Sequence, residues 1–570
     1  MSETIVSPGV VLNENDQSFI TAQPIEAGAA IIGPTVKGPV EKPTIVTSYS
    51  DYVNRFGTTF TSGSQVYSYF TSISAYNYFE NGGTTLLVTR VTSGSFTPAT
   101  SSFISGSDGT LGSIFTLETI SEGEIMNSTS SELSDGALES GSVDNLRWQI
   151  TSPNSSSGTF TLLIRRGDDD RISPVVLETW NNLSLDPLAS NYIEKVIGNQ
   201  KENLATDGSD YYLELTGSYS NNSRYVRVKE VNRKLPNYLD NAGDPVSAFT
   251  SSIPIANSGS FGAAEGSNIP GTTGKYYQNI DGNSIQGLTG SDYNNVISLL
   301  ANKDEYQYKY ITAPGLYDEN YATQVSSLIS KCRERGDTMA IIDLRTYNSN
   351  ISSVVSEAAG FNNSYAATYW PWLQTIDPNS GEQVWVPAST MMPGVYAFTD
   401  SSTEPWFAPA GTNRGVLSTV IRAERKLTQG NRDTLYEGNV NPIATFPNNG
   451  VVVFGQKTLQ KKRSALDRVN VRRLLIELKS FIGQVADTLV FEQNTIATRN
   501  EFLTQVNPYL SSVQQREGLT DFRVIMDESN NTPDVIDNNK LVGQVFIQPT
   551  RTVEFIQIDF TVTPTGATFE

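Results

Sequence analysis

Apolar positions along this chain fall into three textures, each predicting a different kind of element. Between residues 29 and 56, AAIIG and TIVTS are short strand runs divided by the breakers of PTVKGPVEKP, and a helix starts at Ser50 and Asp51. Residues 75–79 continue a helix, and LLVTRV at 86–91 is a buried strand. The same texture resumes at Tyr308 with the strand YKYITAP, a helix over 319–335 and the strand TMAIIDL over 338–344, a β-α-β unit with parallel strands.

The second texture covers residues 92–302, where Ser, Gly, Thr and Asn dominate and stretches such as TSSFISGSDGTLGS form turns. Within it FTLLIRR, YYLELTG and RYVRVKE alternate apolar with polar residues as half-exposed strands do, which predicts an inserted, mostly β surface region of one or two subdomains. The third begins near Arg425. In a helix after Asp467, Val471, Leu474, Leu475, Leu478, Phe481, Ile482, Val485 and Leu489 recur at spacings of three and four, so one broad face is buried and Arg472, Arg473, Glu477 and Lys479 fall away from it. A weaker helix follows over 499–516, with Gly518 as its stop, then the strands FRVIMD and LVGQVFIQ.

Both ends carry strand-like segments. In residues 551–563 Ile556, Ile558, Phe560 and Val562 alternate with Gln557, Asp559 and Thr561, so one face wants a core and the other water. Val10, Val11 and Leu12 make a short apolar stretch in a polar arm that Pro8 keeps from being helical. A strand with unpaired backbone groups is a liability unless another chain pairs with it, whereas an ordinary sheet within the chain is the simpler alternative; the pattern leaves both open.

Composition narrows the function classes. A chain of 570 residues exceeds what one core serves, so two to four domains are expected. Sixty acidic against 40 basic residues, a net charge of −20, argues against direct nucleic-acid binding. No histidine is present, which removes imidazole bases and His-containing zinc sites. The single cysteine, Cys332, sits on the helix over 319–335 and fits folding in a reducing compartment, and neither a secretory leader nor an apolar run near the ~20 residues of a membrane span is visible. The chain is therefore expected to fold in a cytoplasm, with no membrane insertion.

Motifs add little chemistry. GVVVFGQKT at 450–458 has Gln456 between glycine and lysine, and a strand where a phosphate loop needs bent backbone. Asp168, Asp169 and Asp170, like the loop at 527–537, lack the glycine and distal glutamate of a Ca²⁺ loop. Trp370, Trp372, Trp385 and Trp406 alternate with prolines and glycines and read as sheet-packing or subunit-contact residues. Against the acidic background, Lys457, Lys461, Lys462, Arg463, Arg468, Arg472 and Arg473 concentrate positive charge, either towards an acidic partner or as a solvated helix face.

SPGVVLNEND, GPTVKGPVEKPTIVTSYSDYVNRFG, NLSLDPLASNYIEKVIG, YWPWLQTIDPNSGEQVWVPAS, WFAPAGTNRGVL and the block from NPIATF through VFGQKTL to VNVRRLLIELK, in this order, resemble contractile tail sheath proteins of myovirus-type bacteriophages. The resemblance implies an α+β multidomain fold: an inner polymerisation domain from both ends (1–22 and 425–570), a middle α/β domain (23–91 and 303–424) and the inserted β-rich outer region (92–302). It implies a structural subunit without cofactor, metal or catalytic residues, polymerising as stacked hexameric rings in a virion tail assembled in the host bacterial cytoplasm. Partners would be other copies of the chain, the tail tube protein, and baseplate and tail terminator proteins. Val10, Val11, Leu12, Val553, Phe555, Ile556, Ile558 and Phe560 would then lie on strands donated between subunits, and Lys461, Lys462, Arg463, Arg472 and Arg473 on the tube-facing surface. The rivals are the sheath of a phage-derived injection or secretion particle and, from another class, a β-rich receptor-binding fibre or adhesin. The fibre accounts for the Ser/Thr/Gly-rich insert but not for the basic C-terminal helix.

Overall fold

The computed structural model describes residues 27–62, 65–107, 112–208, 210–267 and 286–558. Val10, Val11, Leu12 and Phe560 lie outside these residues. The apolar runs read as buried strands build one eight-stranded sheet in the order Thr44–Val46, Leu86–Arg90, Ala27–Gly33, Tyr308–Tyr317, Met339–Asp343, Ala366–Trp370, Asn441–Phe446 and Gly450–Val453. Its two edge strands are antiparallel to their neighbours and the inner pairings are parallel. The β-α-β unit is as the pattern predicts: Tyr310 pairs with Met339 and Ile311 with Ala340, and the helix Asp318–Arg335 connects the strands. That helix ends where Gly336 takes the left-handed conformation, φ 76°, and donates back to the Cys332 carbonyl at 3.0 Å. Cys332 is buried, and burial pushes its thiol up to about 12, so it is an inert packed side chain.

Two helices, Phe70–Glu80 and Ala388–Ser402, pack on each other against this sheet and are buried on most of their circumference. Their approach is close enough that a Cβ at Gly394 would stand 2.3 Å from Asn77 Nδ2, which itself donates to the Met391 carbonyl at 3.0 Å. The four tryptophans pack as expected: Trp370, Trp372 and Trp406 are buried, and Trp385 is half-buried against the same core.

The carboxyl ends of parallel strands are where α/β sheets commonly bind ligands, but here the protein's own side chains fill that edge. Trp372 packs tilted against Tyr317 and edge-on to Tyr347, with ring centroids at 5.7 and 5.8 Å. Asp343, fully buried at its strand end, accepts from Ser389 N at 3.1 Å and from the Ser389 hydroxyl, at the start of a helix whose dipole favours a carboxylate. Burial still outweighs these bonds and raises the Asp343 carboxyl from 3.8 to about 6. Because the folded state then binds a proton that the unfolded state has released, this group's contribution to stability falls as pH rises from about 4 to about 6, by roughly 3 kcal/mol. The measurable consequence is that Asp343→Asn removes this descending component: the difference in urea-unfolding free energy between variant and wild type shifts by that amount between pH 4 and 7.

Among the described residues the insert is built on a seven-stranded sheet in the order Val176–Ser184, Thr159–Arg166, Leu146–Asn154, Asn257–Gly262, Pro98–Ser101, Phe115–Glu122 and Val226–Val231, all antiparallel. Its core centres on Trp148, Phe115 and Phe160, the last two stacked at 5.7 Å. A hairpin, Lys201–Asp207 with Asp210–Thr216, reaches back so that Leu204, Tyr211 and Leu213 pack on the core of the large sheet. Polar bonds complete the junction: Lys42 meets Glu122 at 2.8 Å, and buried Arg90 donates to the carbonyls of Gly38 and Glu122.

Two domain boundaries differ from those predicted. The insert's core extends to Ala264, while Leu288, Tyr293, Val296, Ile297 and Leu299 pack with the large sheet, so residues 288–299 belong to the α/β domain rather than to an insert reaching 302. At the other end the α/β domain does not stop at 424. Residues 441–446 and 450–453, NPIATF and GVVV, are apolar enough to be buried and extend its sheet, so the C-terminal unit begins only near the helix Val469–Asp487.

Candidate polymerisation surface

Helix Val469–Asp487 is the pivot of the C-terminal unit. Leu474, Leu478 and Val485 face a core completed by Trp406 and by Phe502, Val506, Leu510 and Val513 of the next helix, Ile496–Gln515. Val469 and Ile476 instead join the core of the large sheet. The first half of the helix is thus enclosed on two sides, and the expectation that Arg472 and Arg473 point outward is corrected: they are 3% and 5% exposed. Arg473 forms an ion pair with Asp400 and lies over the Tyr396 ring at 4.6 Å; Arg472 donates to Ser364 and lies over Tyr365 at 3.9 Å. Buried guanidinium groups persist because each has an anion, a hydroxyl or a π face beside it. Asp400, Tyr396, Ser364 and Tyr365 are over 70 residues away in sequence, so no local pattern marked them as partners.

The remaining basic residues divide. Lys457 is half-buried, its amine donating to the Tyr436 carbonyl at 2.6 Å, and burial lowers its pKa. Lys461, Lys462 and Arg463 are exposed; Lys461 donates to the Ala359 carbonyl at 2.5 Å, and none of the three has an ion-pair partner among the described residues.

Beyond the second helix, the strands Leu519–Ile525 and Gln544–Pro549 pair with each other. Leu519, Phe522, Val524, Val545 and Ile547 turn towards the helical core, while Phe546 on the opposite face is 54% exposed. Among the described residues neither strand pairs with a third, so the hairpin has two outer edges. Residues 551–558 follow directly and belong to no strand; Val553, Phe555, Ile556 and Ile558 are 68–85% exposed. Glu554 in this segment is held by the body of the chain. Its carboxylate accepts from Arg468 at 2.6 and 2.9 Å, from the Tyr436 hydroxyl at 3.0 Å and from Gln456 at 3.1 Å. Beside it Ala408, Pro442, Tyr436, Phe454, Val553 and Phe555 line a cleft of about 340 Å³. Among the described residues no group of carboxylates and thiols has metal-binding geometry, and no helix is long and apolar enough to cross a membrane.

Residues 286–459 match the phage tail sheath protein central domain and residues 461–563 the phage tail sheath C-terminal domain. Over these two stretches the chain is similar to phage tail sheath proteins. The join between the two matches falls where the large sheet gives way to the C-terminal unit. The tail sheath protein of Vibrio phage KVP40 is 35% identical over 234 residues, 40% of this chain and 35% of that protein. That of Enterobacteria phage T4 is 35% identical over 233 residues, 41% and 35% of the respective chains. The chain thus matches about a third of the length of these curated relatives. Solved sheath proteins share the fold along nearly the whole chain. The helical sheath of the anti-feeding prophage in its contracted state has a TM-score of 0.50 at 16% identity, covering 98% of this chain and 99% of that one. The sheath tail protein from Listeria innocua has a TM-score of 0.52 at 10% identity, covering 92% and 96%.

Proposed function

We propose that this chain is the repeating subunit of a contractile tail sheath, stacking as hexameric rings around a rigid tube and driving that tube through a host envelope for genome delivery. The observation that carries this reading is the pairing of supply and demand at the C-terminal unit: a hairpin with two outer edges, followed by an exposed segment with apolar residues at 553, 555, 556 and 558. A strand of about five backbone hydrogen bonds, at ~0.5–1.5 kcal/mol net each, contributes several kcal/mol once it pairs in another copy. Such links persist while weaker side-chain contacts between subunits exchange. Contraction is then a move between two packings of rigid subunits, with the extended form kinetically held until a baseplate releases it. The N-terminal arm with Val10, Val11 and Leu12, and Phe560, would complete the strand exchange.

In this reading the role is structural, without cofactor. The chain sits in a virion tail, assembled in the bacterial cytoplasm, with tube, baseplate and terminator proteins as partners. A receptor-binding fibre leaves the two helices and the outer edges of the C-terminal hairpin without a purpose. Electron microscopy of the expressed chain distinguishes the two: hollow tubes support the sheath, whereas monodisperse trimers would contradict it.

The tube-facing surface is redrawn around Lys461, Lys462 and Arg463, the exposed part of the basic run. Reversing all three to Glu is expected to leave folding within about 0.5 kcal/mol of wild type, as for other exposed sites. Co-assembly with tube should weaken, and its salt dependence should flatten. Unchanged co-sedimentation at low salt would remove these residues from the tube contact.

A further inference from the structure

The C-terminal segment leaves the strand Gln544–Pro549 only four residues before Glu554. A reversal within 550–553 would lay the rest of the segment along the outer edge of its own hairpin, the nearest edge that no third strand covers among the described residues. The structure holds the chain elsewhere. Thr550 N donates to the Gly518 carbonyl at 3.2 Å, and Glu554 is bound by Arg468, Tyr436 and Gln456, three residues outside the hairpin. Gln456 also donates to Thr552 at 2.5 Å, so two alternate residues of the segment are tied to the same side chain.

These partners come from separate places: Tyr436 from the helix Gln429–Glu437, Gln456 from the stretch after the last strand of the large sheet, and Arg468 from the residue preceding the helix Val469–Asp487. Arg468 is itself braced, with Asp467 at 3.0 Å and the Tyr436 ring at 5.9 Å. The site is preassembled on the body of the subunit and addresses one carboxylate.

We infer that Glu554 is a clamp that commits the C-terminal segment to pairing with another copy of the chain by preventing it from closing on its own hairpin. This rests on the strand-donation reading above and adds its direction: Glu554 docked on Arg468 and Glu554 folded back along Gln544–Pro549 are mutually exclusive positions. The clamp is a positioning contact; the residues donated are those beyond it.

The test uses full-length chains with cysteines introduced on the arm (Phe555→Cys or Ile556→Cys, one for each possible register) and on the hairpin, where Phe546→Cys lies on the strand whose edge a folded-back arm would meet and Arg523→Cys, on the other strand, reports linkage between copies only; native Cys332 is buried and does not compete. Mixed single variants report linkage between copies, and chains carrying both cysteines, oxidised when dilute, report closure within one copy. Wild-type residues at 554 and 468 should give linkage between copies. Glu554→Gln and, independently, Arg468→Gln should raise the ratio of internal to intermolecular linkage roughly tenfold, the change that the loss of one charge-assisted contact of about 1.4 kcal/mol produces. Arg468→Gln removes the same contact from the body side, so agreement between the two variants excludes a local effect of residue 554. An unchanged ratio in both overturns the clamp and leaves strand donation standing. Tubes forming from wild-type chains with no linkage between copies would overturn strand donation itself, and the clamp with it.

Discussion

Removing residues 555–570 abolishes polymerisation and leaves the subunit folded. Phe555, Ile556 and Ile558 are exposed and support no core, while Glu554, the residue of this segment with several partners on the body, is retained. The circular dichroism spectrum should therefore be unchanged, and the main thermal transition should move by no more than the few degrees typical of a surface change. Polymerisation loses the backbone bonds of one donated strand per subunit, a term repeated at every contact of the lattice. The expected micrograph shows dispersed subunits at concentrations where the full chain forms tubes. The truncated chain also keeps its hairpin edges open, so slow irregular association through them is consistent with the account. Tubes of normal length from the truncated chain are not.

The second large effect is on folding. Arg473→Ala should lower the free energy of unfolding by about 3 kcal/mol, the lower end for breaking a buried ion pair, because Asp400 keeps 28% of its side-chain surface in water. The loss includes the contact of the guanidinium with the Tyr396 ring. Replacing both partners, Arg473→Met with Asp400→Leu, should recover most of the deficit, since the low-dielectric site then holds no charge at all. A double-mutant cycle in urea measures this coupling directly. A cost below about 0.5 kcal/mol for Arg473→Ala would mean that the arginine behaves as a surface residue. The contrast with Lys461, Lys462 and Arg463 is useful in practice: charge reversal at 472 and 473 disables the fold, and only the exposed three can probe the tube contact.

Much of the α/β scaffold was legible because its signals are local. The β-α-β unit from Tyr308 to Asp343 followed from two apolar runs separated by a helical period, and the glycine that ends its helix stands at 336. The two C-terminal helices and the hairpin after them followed in the same way. The misplaced features all depend on contacts distant in the chain. Arg472 and Arg473 occupy positions that periodicity assigns to water, and only Asp400, Tyr396 and Tyr365, brought in by tertiary packing, make their burial tolerable. The place of the strand Asn441–Phe446 in the sequence assigns it to the C-terminal unit, yet it pairs with Ala366–Trp370. The candidate surface was half legible. Alternation marks the terminal segment as wanting a partner, but nothing local distinguishes the glutamate inside it, because Arg468, Tyr436 and Gln456 converge on it from three different elements.

The central claim is that subunits are joined by strands passed from one copy to the next. The most direct measurement is a cryo-electron microscopy reconstruction of the polymer at a resolution that traces backbone through the C-terminal unit. The account predicts that the hairpin Leu519–Ile525 with Gln544–Pro549 appears as part of a larger sheet, with residues beyond Glu554 of one copy paired to its edge in another. A polymer in which that hairpin remains two-stranded, with each terminal segment folded on its own subunit, would contradict it.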